Sequence, residues 1–179
     1  MVPLAFHVDY WDRLGWTDRF AQAAFSQRQR DRNGGLGWIY TPQVMLDGED
    51  FRSWQRGLPA RSNSPAQASL TLALDQTPGH IDVQAESRFA SLGAARDATL
   101  YLALVENRLS SKVTAGENAQ HSLHHDHVVR LLAGPLDPRR GLHRFKLQPG
   151  WKAADLGVAA FVLDARGVTL QALARPGCP

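Results

Sequence analysis

The first apolar run of the chain, Leu4 to Val8, is broken only by His7. A run this short and continuous predicts a buried strand of the kind found in parallel sheets. A helix is expected to follow. Thr17 stands where an N-cap would, Asp18 falls in the first turn, and Phe20/Ala24 and Ala21/Phe25 repeat at four residues until Asn33, Gly34 and Gly35 stop the pattern. Trp38 to Phe51 then reads as a loop closing on Pro42, a short strand from Gln43 to Leu46, and a tight Asp47-Gly48 turn into a returning segment. From Gly57 to Ala68 the chain turns to Pro, Ser, Asn, Arg and Ala without periodicity, the composition of a linker.

Beyond the linker the period changes to two. Alternating segments at Ser69 to Leu74, His80 to Phe89, Ala98 to Glu106, His127 to Leu132, Leu142 to Leu147, Gly157 to Leu163 and Val168 to Leu173 predict about seven strands. Turn signals such as Thr77-Pro78-Gly79 and Gln148-Pro149-Gly150 separate them at the spacing of an antiparallel sandwich. The expected division is therefore 1–58 for an α/β segment, 59–68 for the linker and 69–179 for a β-sandwich-like domain.

Composition narrows the function classes. The chain has 179 residues, 44% of them hydrophobic, enough for a full core without disulfides or a structural metal. No apolar run approaches the ~20 residues of a membrane-spanning helix, so no membrane span is expected. The net charge is +3, but before Ala60 seven basic residues face seven acidic ones, and after it thirteen face ten. Neither part is a basic domain, and nucleic acid is not an expected partner. Cys178 is the only cysteine, so a Cys-Xaa-Xaa-Cys pair within this chain is excluded.

Three groups of residues are candidates for chemistry or binding. His125 and His127 would share a face if their segment is a strand, and two imidazoles at that spacing can chelate Zn²⁺ or Cu²⁺ with further donors. Asp126 would point away from such a site, and strand-face His pairs are more often solvated or hydrogen-bonded. His7 and Asp9 would likewise share a face of the first strand, as an imidazole oriented by a carboxylate. No nucleophile motif stands near them, since Ser26 and Ser53 lie in no Gly-Xaa-Ser-Xaa-Gly, and no phosphate or dinucleotide fingerprint calls for a cofactor. Tyr10, Trp11, Trp16 and Trp38 could line a groove beside Pro42 and grip an extended ligand, or pack as core.

The stretch Leu4-Ala-Phe-His-Val-Asp-Tyr-Trp-Asp-Arg-Leu-Gly-Trp-Thr-Asp-Arg-Phe, then Tyr40-Thr-Pro-Gln-Val-Met-Leu-Asp-Gly, closely resembles domain-of-unknown-function family 1223. Thr114-Ala-Gly-Glu-Asn-Ala and His124-His-Asp-His-Val-Val-Arg match the same family further on. The resemblance implies an exported bacterial protein, periplasmic or secreted, with a thioredoxin-like domain joined to a C-terminal β domain. It makes Thr41-Pro42 the counterpart of the thioredoxin-type cis-proline, which borders the active site, and together with Tyr10 and Trp11 of the aromatic groove these are the expected substrate-binding residues. Family members carry a signal peptide, a strand and a Cys-Xaa-Xaa-Cys segment upstream of the point matching Met1. The expected account is that Met1 lies within a longer gene.

The fold class expected is thus α+β, an incomplete thioredoxin-like α/β segment followed by an antiparallel β-sandwich-like domain. Two functions are carried forward. One is a truncated form of an exported thiol-disulfide protein, inactive without its dithiol. The other is a non-enzymatic module that binds a peptide or protein through the groove beside Pro42 and the β domain. Strands left unpaired by the missing neighbour are expected to pair with each other or with a second chain.

Overall fold

A computed structural model of the chain describes residues 1–34, 38–59, 66–116 and 118–177. Most of the linker, Gly35 at the expected helix stop, Glu117 and Cys178 lie outside the described residues. The fold is rich in strand, with few helices.

All seven strands expected from the period-two segments are present. They are β3 (Ala68–Thr77), β4 (His80–Phe89), β5 (Thr99–Glu106), β8 (Val128–Leu136), β9 (Gly141–Lys146), β10 (Leu156–Leu163) and β11 (Thr169–Pro176). They form two antiparallel sheets, one of four strands in the order β11-β10-β5-β8 and one of three in the order β3-β4-β9. The sheets face each other over a core built from alternate residues: Leu72, Ile81, Val83 and Phe145 on one side, and Leu100, Leu102, Leu104, Val158, Ala160 and Val162 on the other.

The strand β10 is buried at every position. Its even-numbered side chains fill the sandwich, so its odd ones need a second cover. Ala159, Phe161 and Leu163, with Ala103, Val105 and Val129, pack beneath Phe25 of helix α1 (Ala23–Arg32) and beneath Val2, Leu4 and Phe6. The four-stranded sheet is therefore the middle of three layers, which is why Leu156 to Leu163 is continuously apolar rather than alternating. The Arg28 guanidinium completes this outer layer, lying 4.8 Å from the centre of the Tyr101 ring and also over Phe6 and Phe161.

Helix α1 begins later than the Thr17 cap predicts, with extended Gln22 at its N-cap. Asp18 has a different use: its carboxylate accepts from the Phe20 amide at 2.9 Å and lies 2.5 Å from His7 Nδ1. This local turn competes with the helix and buries Phe20 ahead of it.

The Leu4 to Val8 segment is not a full strand. It makes one parallel bridge, in which Ala5 N donates to His127 O and Val129 N donates to Ala5 O, both at 2.9 Å. It thereby covers one end of the β8 edge. Gln22 extends the cover by donating its side-chain amide to Arg130 O, and Pro135 offers no N–H further along. On the opposite flank Gln171 Nε2 donates to Ala68 O and ties β11 to β3 across the two sheets.

The Asp47-Gly48 turn closes a hairpin of β1 (Met45–Leu46) and β2 (Glu49–Asp50), with both turn residues at positive φ. Arg32 fixes this hairpin to the sheets, because its guanidinium donates to Gly48 O at 2.8 Å and to Gly167 O at 2.6 Å. Gly167 has a φ of 84°, and a Cβ there would push the Arg32 guanidinium out of its place, so glycine suits this position on both counts.

A hairpin of β6 (Leu109–Lys112) and β7 (Ser122–His125) is an addition to the predicted elements. It receives the N-terminal layer through Trp16 Nε1, which donates to Lys112 O, and through Arg19, which donates to Ser110 O.

Candidate functional site

The residues around Thr41 and Pro42 form the most developed exposed cluster. Helix α1 supplies the support, because Gln29 and Asn33 lie four apart and meet the same loop. Gln29 Nε2 donates to Tyr40 O and to Gln43 Oε1, each at 2.8 Å, and its Oε1 accepts from the Tyr10 hydroxyl. Asn33 Nδ2 donates to Trp38 O, and Gln43 Nε2 donates back to Asn33 Oδ1 at 2.9 Å. Two side-chain amides thus hold the loop backbone at Trp38 and Tyr40, and the Gln43 side chain ties the end of the loop to both.

On this support sit two aromatic pairs. Trp38 and Tyr40 stack with an interplanar angle of 16° and centroids 5.9 Å apart, and the Arg52 guanidinium lies over both rings. Tyr10 and Trp11 meet at 5.4 Å, and Trp11 Nε1 donates to Thr41 Oγ1 at 2.7 Å. Trp11 and Trp38 are each 44% exposed, and Thr41 and Pro42 are exposed as well. The Thr41–Pro42 peptide is cis, as is Gly134–Pro135.

Asp50 organises the charged side of the cluster. The Tyr40 hydroxyl donates to its Oδ1 at 2.5 Å and Arg52 Nε to its Oδ2 at 2.9 Å. The hydrogen bond from Tyr40 holds the Asp50 carboxyl below its ordinary value despite burial, and Arg52 adds to the effect. The same bond, with burial, pushes the Tyr40 phenol upward. Both groups are therefore fixed in their usual ionisation states at neutral pH. The arrangement offers flat apolar faces and fixed hydrogen-bonding groups, the features of a recognition surface.

Among the residues that the sequence singled out, Tyr10, Trp11, Thr41, Pro42 and Trp38 come together here. Trp16 does not, because its indole is bound at the β6–β7 hairpin. Tyr40, Arg52, Asp50 and the amides Gln29, Asn33 and Gln43 belong to the cluster without having been singled out. The hairpin register carried the missing signal: Met45 pairs with Asp50, so the returning strand brings Asp50 and Arg52 back beside Tyr40.

The His125/His127 arrangement differs from the expected one. The strand β7 ends at His125, and His127 takes a positive φ of 57° where the chain turns into β8. The backbone alternation that would put both imidazoles on one face is broken there. His125 Nε2 lies 2.7 Å from Ser111 Oγ, and its ring meets that of His7 edge-on at 5.1 Å. Among the described residues no group of three or more His, Cys, Asp and Glu side chains is placed to hold a metal ion.

The expected His7/Asp9 pairing is also replaced. His7 Nδ1 contacts Asp18, whereas Asp9 Oδ1 accepts from Ser26 Oγ at 2.5 Å and Asp9 N donates to that same hydroxyl. Ser26 is buried, and it anchors the helix rather than facing solvent.

Comparison with known proteins adds a family and a fold. No curated protein matches the chain. Among solved structures, HBP35 of Porphyromonas gingivalis is similar with a TM-score of 0.63 at 16% identity, over 86% of this chain and 58% of that one. This chain thus spans a little over half the length of that protein, and the likeness is one of fold. A domain of the outer membrane lipoprotein Omp28 from Porphyromonas gingivalis gives a TM-score of 0.45 at 13% identity, over 66% of this chain and 94% of that one. No helix among the described residues is long and apolar enough to cross a membrane. The family model for "Protein of unknown function (DUF1223)" matches residues 1–163, from the N-terminal layer through β10, and the chain belongs to that family.

Proposed function

We propose that this chain acts as a binding module, gripping an extended segment of a peptide or protein on the aromatic surface beside Thr41 and Pro42. The observation that carries this reading is the hydrogen bond from Trp11 Nε1 to Thr41 Oγ1, which holds an exposed indole rigidly beside the loop. An exposed Trp whose polar atom is already satisfied presents its apolar face at little entropic cost. Trp38, backed by Tyr40 and Arg52, supplies a second such face. Tryptophan, tyrosine and arginine are the residues that most often dominate binding energy at interfaces.

The family resemblance supports a thioredoxin-like origin for the N-terminal layer and a periplasmic or secreted setting. Thiol-disulfide chemistry would need a cysteine pair, and this chain has one cysteine. In this reading recognition stays with the chain and the redox step does not.

The test is selection from a displayed library of unstructured peptides, followed by amide chemical-shift mapping with the peptides recovered. Shifts concentrated on residues 10–11 and 38–43 support the reading. Peptides whose shifts fall elsewhere, or a library that yields no binder, contradict it.

A further inference from the structure

The β6–β7 hairpin is held by side chains rather than by a sheet. Among the described residues it pairs with no other strand, and a two-stranded hairpin by itself is marginally stable. Both of its ends turn at left-handed residues, Arg108 where the chain leaves β5 and His127 where it enters β8, and Asp126 Oδ1 accepts from Arg108 N across that base. Its position therefore rests on its contacts with the N-terminal segment. Trp16 Nε1 donates to Lys112 O at 3.2 Å and Arg19 Nη2 to Ser110 O at 2.9 Å. The His125 ring completes the contact, meeting His7 edge-on at 5.1 Å and the buried Phe20 ring at 5.4 Å.

The groups around this contact favour an uncharged His125. Its Nε2 lies 2.7 Å from Ser111 Oγ, which satisfies a neutral ring. Arg19 lies over the Phe20 ring at 4.7 Å, Arg130 lies over the same ring at 5.0 Å with Glu106 as its own partner, and His124 is the preceding residue. The nearby carboxylate, Asp18, is already engaged by His7 and by the Phe20 amide. A proton on His125 thus adds a cation beside Arg19 and against a second imidazole, in a half-buried place where repulsion is poorly screened. Burial lowers the His125 imidazole below its ordinary 6.5, His7, Arg19 and His124 add to the effect, and Asp18 opposes it.

We propose that the β6–β7 hairpin is an acid-released arm, in which a proton on His125 undocks it from His7, Phe20, Trp16 and Arg19 while both sheets of the sandwich stay folded. The docked arm prefers the neutral ring, so docking is strongest above pH 6.5 and weakens as pH falls below it. The docking constant falls about tenfold per pH unit until the docked ring is itself protonated. Release uncovers the Phe20 ring. The device needs no ligand at Pro42 and does not rest on the peptide-binding reading.

Nuclear magnetic resonance of the full chain between about pH 7.5 and about pH 5 tests this. The expected result is one common midpoint below 6.5 for the His125 ring protons, the Trp16 indole N–H and the amides of residues 109–112 and 122–125, while the amides of β4 and β10 keep their shifts. The His125→Phe protein keeps an aromatic ring against His7 and Phe20 without the charge, and its hairpin is expected to stay docked across the range. Should that variant misfold, the coincidence of midpoints in the unmodified protein decides. Hairpin signals that stay put while His125 titrates, or that move at a different midpoint, would overturn the proposal. So would release that persists in a folded His125→Phe protein, or loss of the β4 and β10 amides together with those of the hairpin.

Discussion

Trp11 and Thr41, thirty residues apart in sequence, are joined by a 2.7 Å hydrogen bond from the indole to the hydroxyl. The bond spans the turn after the first segment and the loop before β1, so it fixes the relation of two otherwise independent connections. It leaves the face of the indole in solvent. Replacing Thr41 by Val removes the acceptor and keeps the shape. Peptide binding is expected to weaken by about 0.5–1.5 kcal/mol, the net value of one such bond. Thermal unfolding of the same protein should move little, since both partners are exposed.

Arg32 bridges two turns that are far apart in sequence, donating to Gly48 O and to Gly167 O. Arg32→Ala leaves the carbonyls of Gly48 and Gly167 without their donor, at a cost of about 1–3 kcal/mol. Gly167→Ala is expected to be at least as damaging, because φ is 84° there and the new methyl would collide with the guanidinium. For a chain of this size, each kcal/mol lowers Tm by about 2–4 °C. A Tm unchanged in both variants would show that the hairpin is held by other contacts.

The three-layer packing makes a cooperative prediction. Phe25 is 3% exposed and packs on the outer face of the four-stranded sheet, so Phe25→Ala should cost about 3–5 kcal/mol. The loss should appear in a single unfolding transition monitored by both tryptophan fluorescence and far-UV circular dichroism. Two separated transitions would mean that the N-terminal layer and the sandwich unfold independently.

Several groups shape the acid side of the stability profile, among them the His143 and His125 imidazoles and the Asp18, Asp50, Asp82 and Asp164 carboxyls. Burial beside Phe145 lowers the His143 imidazole below its ordinary 6.5. A base depressed in the folded state contributes no penalty above pH 6.5 and destabilises progressively below it. His143→Phe should flatten part of that limb, the rest belonging to His125, which burial lowers in the same way. Burial raises the Asp18 carboxyl, but the hydrogen bonds from His7 and the Phe20 amide outweigh it and leave the group below its ordinary 3.8. Its stabilising contribution is present above that value and is lost as pH falls through the lower folded-state value, so Asp18→Asn should flatten only the more acidic limb. Urea midpoints measured from pH 7 to pH 3 separate the two.

The sandwich was legible because burial on one face per strand imposes a period of two, and the continuous run at Leu156 to Leu163 marked the strand covered on both faces. The β6–β7 hairpin was not legible. Its strands, Leu-Ser-Ser-Lys and Ser-Leu-His-His, bury polar side chains such as Ser111 that find partners only in the folded chain. For the same reason the helix start was misread, since Asp18 is recruited by His7 eleven positions earlier. At the candidate surface, aromatic residues near Pro42 were visible as a group. The amides beneath them were not, because Gln29, Asn33 and Gln43 are common surface residues until the fold brings them together.

The most direct test of the binding surface is a calorimetric titration of the tightest peptide recovered from the displayed library into the unmodified and Trp11→Ala proteins. Loss of an exposed aromatic anchor that the peptide would cover is expected to weaken binding by about 2 kcal/mol or more, roughly thirty-fold in Kd. The variant should unfold at nearly the same temperature. Equal affinity for the two proteins would contradict the account.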